Sequence, residues 1–118
     1  MSSEGSASPI ELAAICLDLG RSDIRGPWLR ATPIVLRQAL EIAVTAALAD
    51  HGVGEGASMR AKLLCLTEVV GPDVGTEAIW LWERLSEGCH YGAYRLDATL
   101  DELTEWNRRT ADLCATLG

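Results

Sequence analysis

Apolar residues recur along this chain at spacings of three and four, which is the period of one face of an α-helix. The clearest stripe lies near the C-terminus and consists of Leu100, Leu103, Trp106, Thr110, Leu113 and Leu117. Thr99 and Glu102 precede it with the spacing of a capping box. This pattern predicts a helix that begins after Thr99 and packs along the stripe. Alternating apolar and polar residues, which would indicate β-strands, are few.

The first predicted helix has an equally clear beginning. Ser8 is a good N-cap residue, Pro9 fits the first turn, and Glu11 completes a second capping box. Gly20 is the predicted end, because glycine commonly terminates helices. Residues 21–31 are then expected to form an arginine-rich connection that contains Trp28.

A second helix is predicted from the Thr-Pro pair at Thr32 and Pro33 to Gly52. Its apolar residues nearly surround the helix axis and leave one narrow polar stripe, which comprises Arg37, Gln38, Glu41 and Thr45. A helix that is apolar on most sides is typical of the middle of a bundle or of an oligomer interface.

Glycine and proline mark the remaining boundaries. The predicted features are a glycine-rich linker over 52–58, a third helix from Ser58 to Gly71, a turn over 72–75, and a fourth helix from about Thr76 to Gly88. The sequence therefore predicts an all-α antiparallel helical bundle of four to five helices. It would form a single domain over residues 8–118, after a disordered N-terminus of residues 1–7.

Composition narrows the function classes. Apolar residues make up 48% of the chain and charged residues 23%, which is enough apolar material for a core. The net charge of −7 opposes non-specific binding to phosphate backbones, unless arginines form a local patch. The chain has ten basic residues, and Lys62 is its only lysine. The apolar run over 39–49 is too short to span a bilayer, and no targeting segment is visible. We expect a cytoplasmic protein without membrane contact.

Several kinds of site are disfavoured by spacing. The four cysteines are far apart in the sequence, and no two of them form a CxxC pair. We expect them to be reduced and buried. The histidines, His51 and His90, lie in no HExxH or ExxH pattern, so we expect no metal and no cofactor. The glycines of 52–58 lack the Gly-Lys-Ser/Thr sequence of a phosphate-binding loop. Cys89 beside His90 is a poor nucleophile pair, because adjacent residues usually point apart.

The remaining polar constellation is Arg84 with His90, six positions later, across a helix break at Gly88. Such a break lets the imidazole fold back towards the guanidinium. An imidazole can exchange the protons of RNA cleavage, and an arginine can stabilise the phosphorane charge without a metal. Tyr91 and Tyr94 are suited to stacking on bases. The alternative is that His90 caps carbonyls at the helix end while the tyrosines pack beneath the loop.

The stretch "RLSEGCH", Arg84–His90, resembles the R-x(4–6)-H motif of the HEPN superfamily. In HEPN domains, which are small and all-α, this motif precedes the last long helix, and "TLDELTEWNRRTADLC" has that position here. The stretch "LRQALEIAV", residues 36–44, is also similar to the arginine- and glutamate-bearing helix of many HEPN proteins.

This resemblance implies a metal-independent endoribonuclease that acts as a homodimer, with two motifs converging on one cleft. It also implies a role as a toxin or in phage defence or stress, with RNA as substrate and an antitoxin or other protein as partner. Arg84 would stabilise the phosphate and His90 would be the acid and base. The candidate substrate-binding or supporting residues are Tyr91, Tyr94, Arg95, Arg37 and Glu41.

Two other function classes stay open at this point. One is a non-catalytic helical interaction module, which an outward-facing tryptophan would favour. Trp80 and Trp82 are separated by about 200° on a helix, so only one of them can face the core; the other is expected either to contact a partner or to be covered by a neighbouring segment. The other class is a small-molecule-binding regulator, which would need an apolar cavity among the tryptophans.

Overall fold

The computed structural model describes residues 8–54, 56–89 and 98–118, and these residues form five α-helices and no strand. The helices are α1 (Pro9–Ser22), α2 (Trp28–Ala49), α3 (Met59–Val70), α4 (Pro72–Gly88) and α5 (Leu100–Leu117). The prediction of an all-α chain with five helical segments is therefore confirmed. The predicted disordered N-terminus, residues 1–7, lies outside the described residues.

Three helices begin at the predicted caps. The Ser8 hydroxyl accepts from Glu11 N, and the Glu11 carboxylate accepts from Ser8 N at 2.8 Å. Thr99 and Glu102 form the same reciprocal pair at the start of α5. At the start of α3, the Ser58 hydroxyl accepts from Ala61 N. These side chains satisfy N–H groups that have no partner within the helix.

The start of α2 differs from its prediction. The helix begins at Trp28 rather than after Thr32, so the connection from α1 is shorter than residues 21–31. Pro33 lies inside the helix, where it cannot donate to the carbonyl of Leu29. The Thr32 hydroxyl donates to Trp28 O at 2.9 Å and satisfies a neighbouring carbonyl. The helix thus continues through the Thr-Pro pair, and the predicted start at this pair is wrong.

Gly20 was also assigned the wrong role. Helix α1 continues past it to Ser22, and Gly20 is buried in the α1–α2 contact. A Cβ atom on Gly20 would lie 2.2 Å from Leu29 Cδ2. The glycine therefore serves close packing of α1 on α2, and it does not end the helix.

One glycine joins α3 to α4. Gly71 has a φ of +123° and both ends α3 and precedes α4, whose first residue is Pro72. The predicted turn over 72–75 is therefore the first helical turn of α4, where proline is well tolerated. The predicted end of α3 at Gly71 is confirmed, but α4 begins four residues before the predicted Thr76.

Helix α2 is the central element of the fold, since it contacts each of the other four helices. Its fully buried residues include Leu36, Leu40 and Val44, which agrees with the prediction from its nearly all-round apolar surface. By length and composition alone α2 could cross a membrane, and 39% of its most apolar window is buried. The core helix of a globular protein passes the same test of length and composition, so this finding is weak evidence for a membrane span.

The predicted stripe of α5 faces the core. Its four central residues, Leu103, Trp106, Thr110 and Leu113, are buried. Leu100 and Leu117, at the two ends of the helix, are partly buried and pack against the same core.

Candidate functional site at the end of α4

Three of the seven predicted site residues lie in the described part of the chain: Arg84, Arg37 and Glu41. The other four, His90, Tyr91, Tyr94 and Arg95, lie outside it. The site is therefore built from α4 and the helices packed against it.

Arg84 lies in the last turns of α4, and its side chain is 35% exposed. Its Nη2 donates to Glu87 Oε2 at 3.3 Å. Its Nε lies 3.3 Å from Glu87 Oε1, but the N–H is not aligned with that oxygen. Arg84 Nε is therefore buried without a hydrogen-bond partner among the described residues. Buried polar atoms without a partner are rare in folded proteins, and each calls for an explanation such as a ligand or an ordered water.

A groove of about 710 Å³ runs between α3 and α4 beside Arg84. Its apolar floor and wall come from Leu63, Leu64, Ile79 and Trp82. Its polar lining comes from Arg60, Glu83, Arg84, Ser86 and Glu87. Ser86 Oγ, like Arg84 Nε, is buried and has no hydrogen-bond partner within the described chain. Two residues that line this groove thus each have a buried polar atom without a partner among the described residues.

Trp80 is covered by arginines. The Arg109 guanidinium carbon lies 4.2 Å from the centre of the Trp80 ring, and that of Arg84 lies 5.8 Å from it. Arg109 also binds both carboxylate oxygens of Glu77. The hydrogen bond from Arg109 lowers the pKa of Glu77 below its ordinary value, although partial burial opposes this shift. Arg109 comes from α5, so no local pattern in α4 could have indicated this contact.

A different arginine, Arg37, contacts the ring of Trp82. The Arg37 guanidinium carbon lies 4.5 Å from the centre of the Trp82 ring. Since Trp80 and Trp82 are about 200° apart around α4, Arg37 and Arg84 contact different faces of that helix. Both tryptophans are partly buried and pack against the core, so the expectation that only one of them faces the core is wrong. Each ring also contacts an arginine guanidinium.

Cys89, the residue after α4, lies close to Arg37. Burial raises the pKa of the Cys89 thiol, and the neighbouring Arg37 charge opposes that rise. Cys16, Cys65, Cys89 and Cys114 are all free thiols. Among the described residues, no three His, Cys, Asp or Glu side chains are placed to hold a metal ion.

A second depression, of about 360 Å³, lies on the other side of the α4 C-terminus. Its lining includes Arg25 from the α1–α2 connection and Arg30 from the first turn of α2. Gly88 and Ala98 also line it. Gly88 and Ala98 border the segment that carries His90 in the sequence. The charged residues that line this depression, Arg25 and Arg30, are both basic, although the chain is acidic as a whole.

Glu41 lies elsewhere. It is exposed on α2 and lines a separate depression beside Lys62, between α2 and α3. The structure thus places the three described candidates, Arg84, Arg37 and Glu41, in three different surroundings. Arg60 and Ser86, which line the groove with Arg84, were missed because neither belongs to the motif and α3 is distant in sequence.

The partly exposed guanidinium of Arg84 lines the groove together with Ser86, and a guanidinium is a good donor to an anion. Comparison of the chain with protein-family models, with curated proteins and with solved structures finds no match.

Proposed function

We propose that this protein is a metal-independent endoribonuclease of the HEPN type, in which Arg84 contacts the scissile phosphate and His90 transfers protons. The observation that carries the proposal is the groove that Arg84 and Ser86 line, with the Arg84 side chain 35% exposed. A phosphodiester offers only acceptors, so a phosphate in this groove would accept hydrogen bonds from the Arg84 guanidinium. The resemblance of "RLSEGCH" to the R-x(4–6)-H motif supplies the role of His90.

In the proposed reaction, His90 accepts the proton of the ribose 2′-OH while the 2′-oxygen forms a bond to phosphorus. The bond from phosphorus to the 5′-oxygen then breaks, and that oxygen receives a proton from the imidazolium. The products are a 2′,3′-cyclic phosphate and a 5′-hydroxyl end. Arg84 stabilises the charge that accumulates on the phosphoryl oxygens. An imidazole is suited to both steps because its ordinary pKa lies near neutrality.

The charge near the site is mixed, in a chain whose net charge is −7. Arg60 and Arg84 line the groove together with Glu83 and Glu87. Among the described residues, the neighbouring depression is lined by Arg25 and Arg30 without a carboxylate, and these two arginines favour an RNA backbone. Tyr91, Tyr94 and Arg95 are proposed to contact bases and backbone from the segment that follows His90. A homodimer would bring two such sites together, and an antitoxin or other protein partner would hold the activity in check in the cell.

Glu87 makes this proposal sharply testable. Its carboxylate occupies the side of Arg84 that a phosphate would approach. Binding of RNA therefore requires the ion pair between Glu87 and Arg84 to break. Repulsion between the Glu87 carboxylate and the phosphate weakens RNA binding further. We expect Glu87→Gln to bind single-stranded RNA more tightly than the natural chain, and Arg84→Ala to bind it less tightly.

The decisive experiment measures cleavage of single-stranded RNA in the presence of EDTA. We expect Arg84→Ala and His90→Ala each to abolish cleavage while the helical content is unchanged. Arg108→Ala is the matched control, because Arg108 is exposed on α5 and pairs with Glu105 and Asp112. Cleavage that continues undiminished in the Arg84 and His90 variants would overturn the assignment, and so would an absence of cleavage in the natural chain.

A second candidate function is a non-catalytic interaction module. Leu12, Ile15 and Leu19 recur along α1 and are 42%, 48% and 41% exposed. Such a stripe is a common contact surface for another helix. This candidate is favoured if the natural chain leaves RNA intact and if its self-association, measured by sedimentation, is lost in Ile15→Asp. Cleavage that depends on Arg84 would exclude it as the main function.

A further inference from the structure

The only lysine of the chain is buried without a carboxylate partner. Lys62 is 6% exposed and lies between α3 and α2. Its Nζ donates to Thr45 Oγ1 at 3.0 Å, and it forms no ion pair with any residue that the structure describes. Buried ammonium groups are normally paired with an anion, because leaving water is costly for a charge. One hydroxyl leaves two of the three N–H donors of Lys62 unassigned.

Thr45 differs from four other threonines inside helices, Thr32, Thr67, Thr104 and Thr116, which donate their hydroxyl proton to the carbonyl four residues earlier. Thr45 makes no such bond, and its oxygen instead accepts from Lys62. The proton of the Thr45 hydroxyl is therefore free to be donated. Lys62 and Thr45 together present donors without acceptors, which is the chemistry of an anion site.

These donors line an open depression of about 400 Å³. Its other lining residues are Glu41, Ile42, Ala46 and Ala49. Three of these four are apolar, and the alanines leave space for a short hydrocarbon group. Lys62 is about 200° from Arg60 around α3, so this depression and the Arg84 groove lie on opposite sides of that helix.

We propose that the Lys62 depression binds a small aliphatic monocarboxylate. The carboxylate accepts hydrogen bonds from Lys62 Nζ and from the Thr45 hydroxyl, and the hydrocarbon part lies over Ile42, Ala46 and Ala49. Glu41, at the edge of the depression, repels ligands with more than one negative charge, so the site prefers a monocarboxylate over phosphate. This site is independent of the proposed ribonuclease function.

The test uses isovalerate as the probe and the full chain labelled with carbon-13 lysine. Because Lys62 is the only lysine, its ε-methylene group gives one lysine signal. We expect isovalerate to shift that signal in a saturable way, whereas the neutral isovaleramide does not shift it and inorganic phosphate binds more weakly. We expect Thr45→Val, which keeps the side-chain shape, to weaken isovalerate binding about tenfold by removing one donor to a charged acceptor.

Glu41→Gln is the second variant, and it keeps the test decisive if Thr45→Val perturbs the fold. We expect Glu41→Gln to tighten isovalerate binding, since it removes a like charge. The proposal is overturned if isovalerate causes no saturable shift at tens of millimolar, or if Thr45→Val binds it as tightly as the natural chain. It is also overturned if the Lys62 signal depends on protein concentration alone, because a carboxylate of a second copy would then fill the depression.

Discussion

The close approach of α3 and α4 at Gly75 gives a quantitative test of the fold around the candidate groove. Gly75 is buried near the start of α4. A Cβ atom there would lie 2.1 Å from Thr67 Oγ1 and 2.7 Å from both Thr67 Cα and Thr67 Cβ. Rotation of the Thr67 side chain can relieve only the first contact. Gly75→Ala therefore forces the two helix backbones apart.

The expected size of this effect combines two opposing contributions. Overpacking of a well-packed contact costs about 1–3 kcal/mol, and a contact limited by backbone belongs near the upper end. Replacing glycine by alanine within a helix returns about 1 kcal/mol. We therefore expect Gly75→Ala to lower the free energy of unfolding by about 2 kcal/mol, which corresponds to a fall in Tm of about 8 °C for a chain of this size.

Urea denaturation followed by far-UV circular dichroism measures this loss as a shift in midpoint with an unchanged slope. Gly54→Ala is the matched control, because nothing lies within 4 Å of a Cβ atom at that position, and it should change the stability by less than about 0.5 kcal/mol. Adding Thr67→Ala to Gly75→Ala should restore only a small part of the loss, since the Cα and Cβ contacts remain. Equal stability of Gly75→Ala and the natural chain would refute the reasoning, and full rescue by Thr67→Ala would show that only the hydroxyl limits the approach.

Three further predictions follow from individual side chains. Glu77→Gln should destabilise the chain by about 1 kcal/mol at neutral pH; because the folded pKa of Glu77 is lowered, this difference should persist above the ordinary value of 4.5 and disappear as the pH falls through the lowered pKa. Iodoacetamide should modify Cys89 only at a higher pH than an exposed thiol, because burial raises its pKa, and Arg37→Met should raise that pH further by removing the opposing charge. Thr99→Ala should cost about 1 kcal/mol by removing a capping box, whereas Thr104→Ala, within the same helix and exposed, should cost little.

Each of these predictions has a clear contrary result. A pH-independent effect of Glu77→Gln in urea titrations would show that its carboxylate is not stabilised by its charge. Peptide mass spectrometry that finds Cys89 modified at the same pH in both chains would remove Arg37 as its electrostatic neighbour. A loss for Thr104→Ala as large as that for Thr99→Ala would show that the cap contributes nothing specific.

The sequence predicted the features of this fold that depend on local chemistry. The capping boxes at Ser8 and Thr99, and the end of α3 at Gly71, need only a few neighbouring residues, and all three were correct. One misassigned boundary depends on a contact between helices. Gly20 was taken for a helix end, whereas its lack of a side chain admits Leu29 from α2, and that need cannot be seen in a short stretch of sequence.

In the candidate site, too, the sequence predicted what depends on neighbouring residues and missed what depends on contacts between helices. The break predicted at Gly88 puts Arg84 in the last turns of α4, and the structure confirms this, because a helix end at a glycine is a local property. The motif did not indicate that Arg109 from α5 contacts the Trp80 ring, as Arg84 does. Nor did it indicate that Arg60 from α3 lines the same groove as Arg84. These residues are brought together by packing of helices that are distant in sequence, so only the folded chain reveals them.

The burial of Lys62 has a consequence for the chemistry of the whole surface. All other basic side chains except histidine are arginines, so an amine-reactive reagent finds no lysine on the folded chain except one that is 6% exposed. Acylation of that amine would proceed from the depression that Lys62 lines between α2 and α3. The rate of Lys62 acylation, relative to that of a free lysine, would therefore report how accessible this one depression is to a reagent in solution. The chain thus contains a chemical label that reads out a single place on its surface.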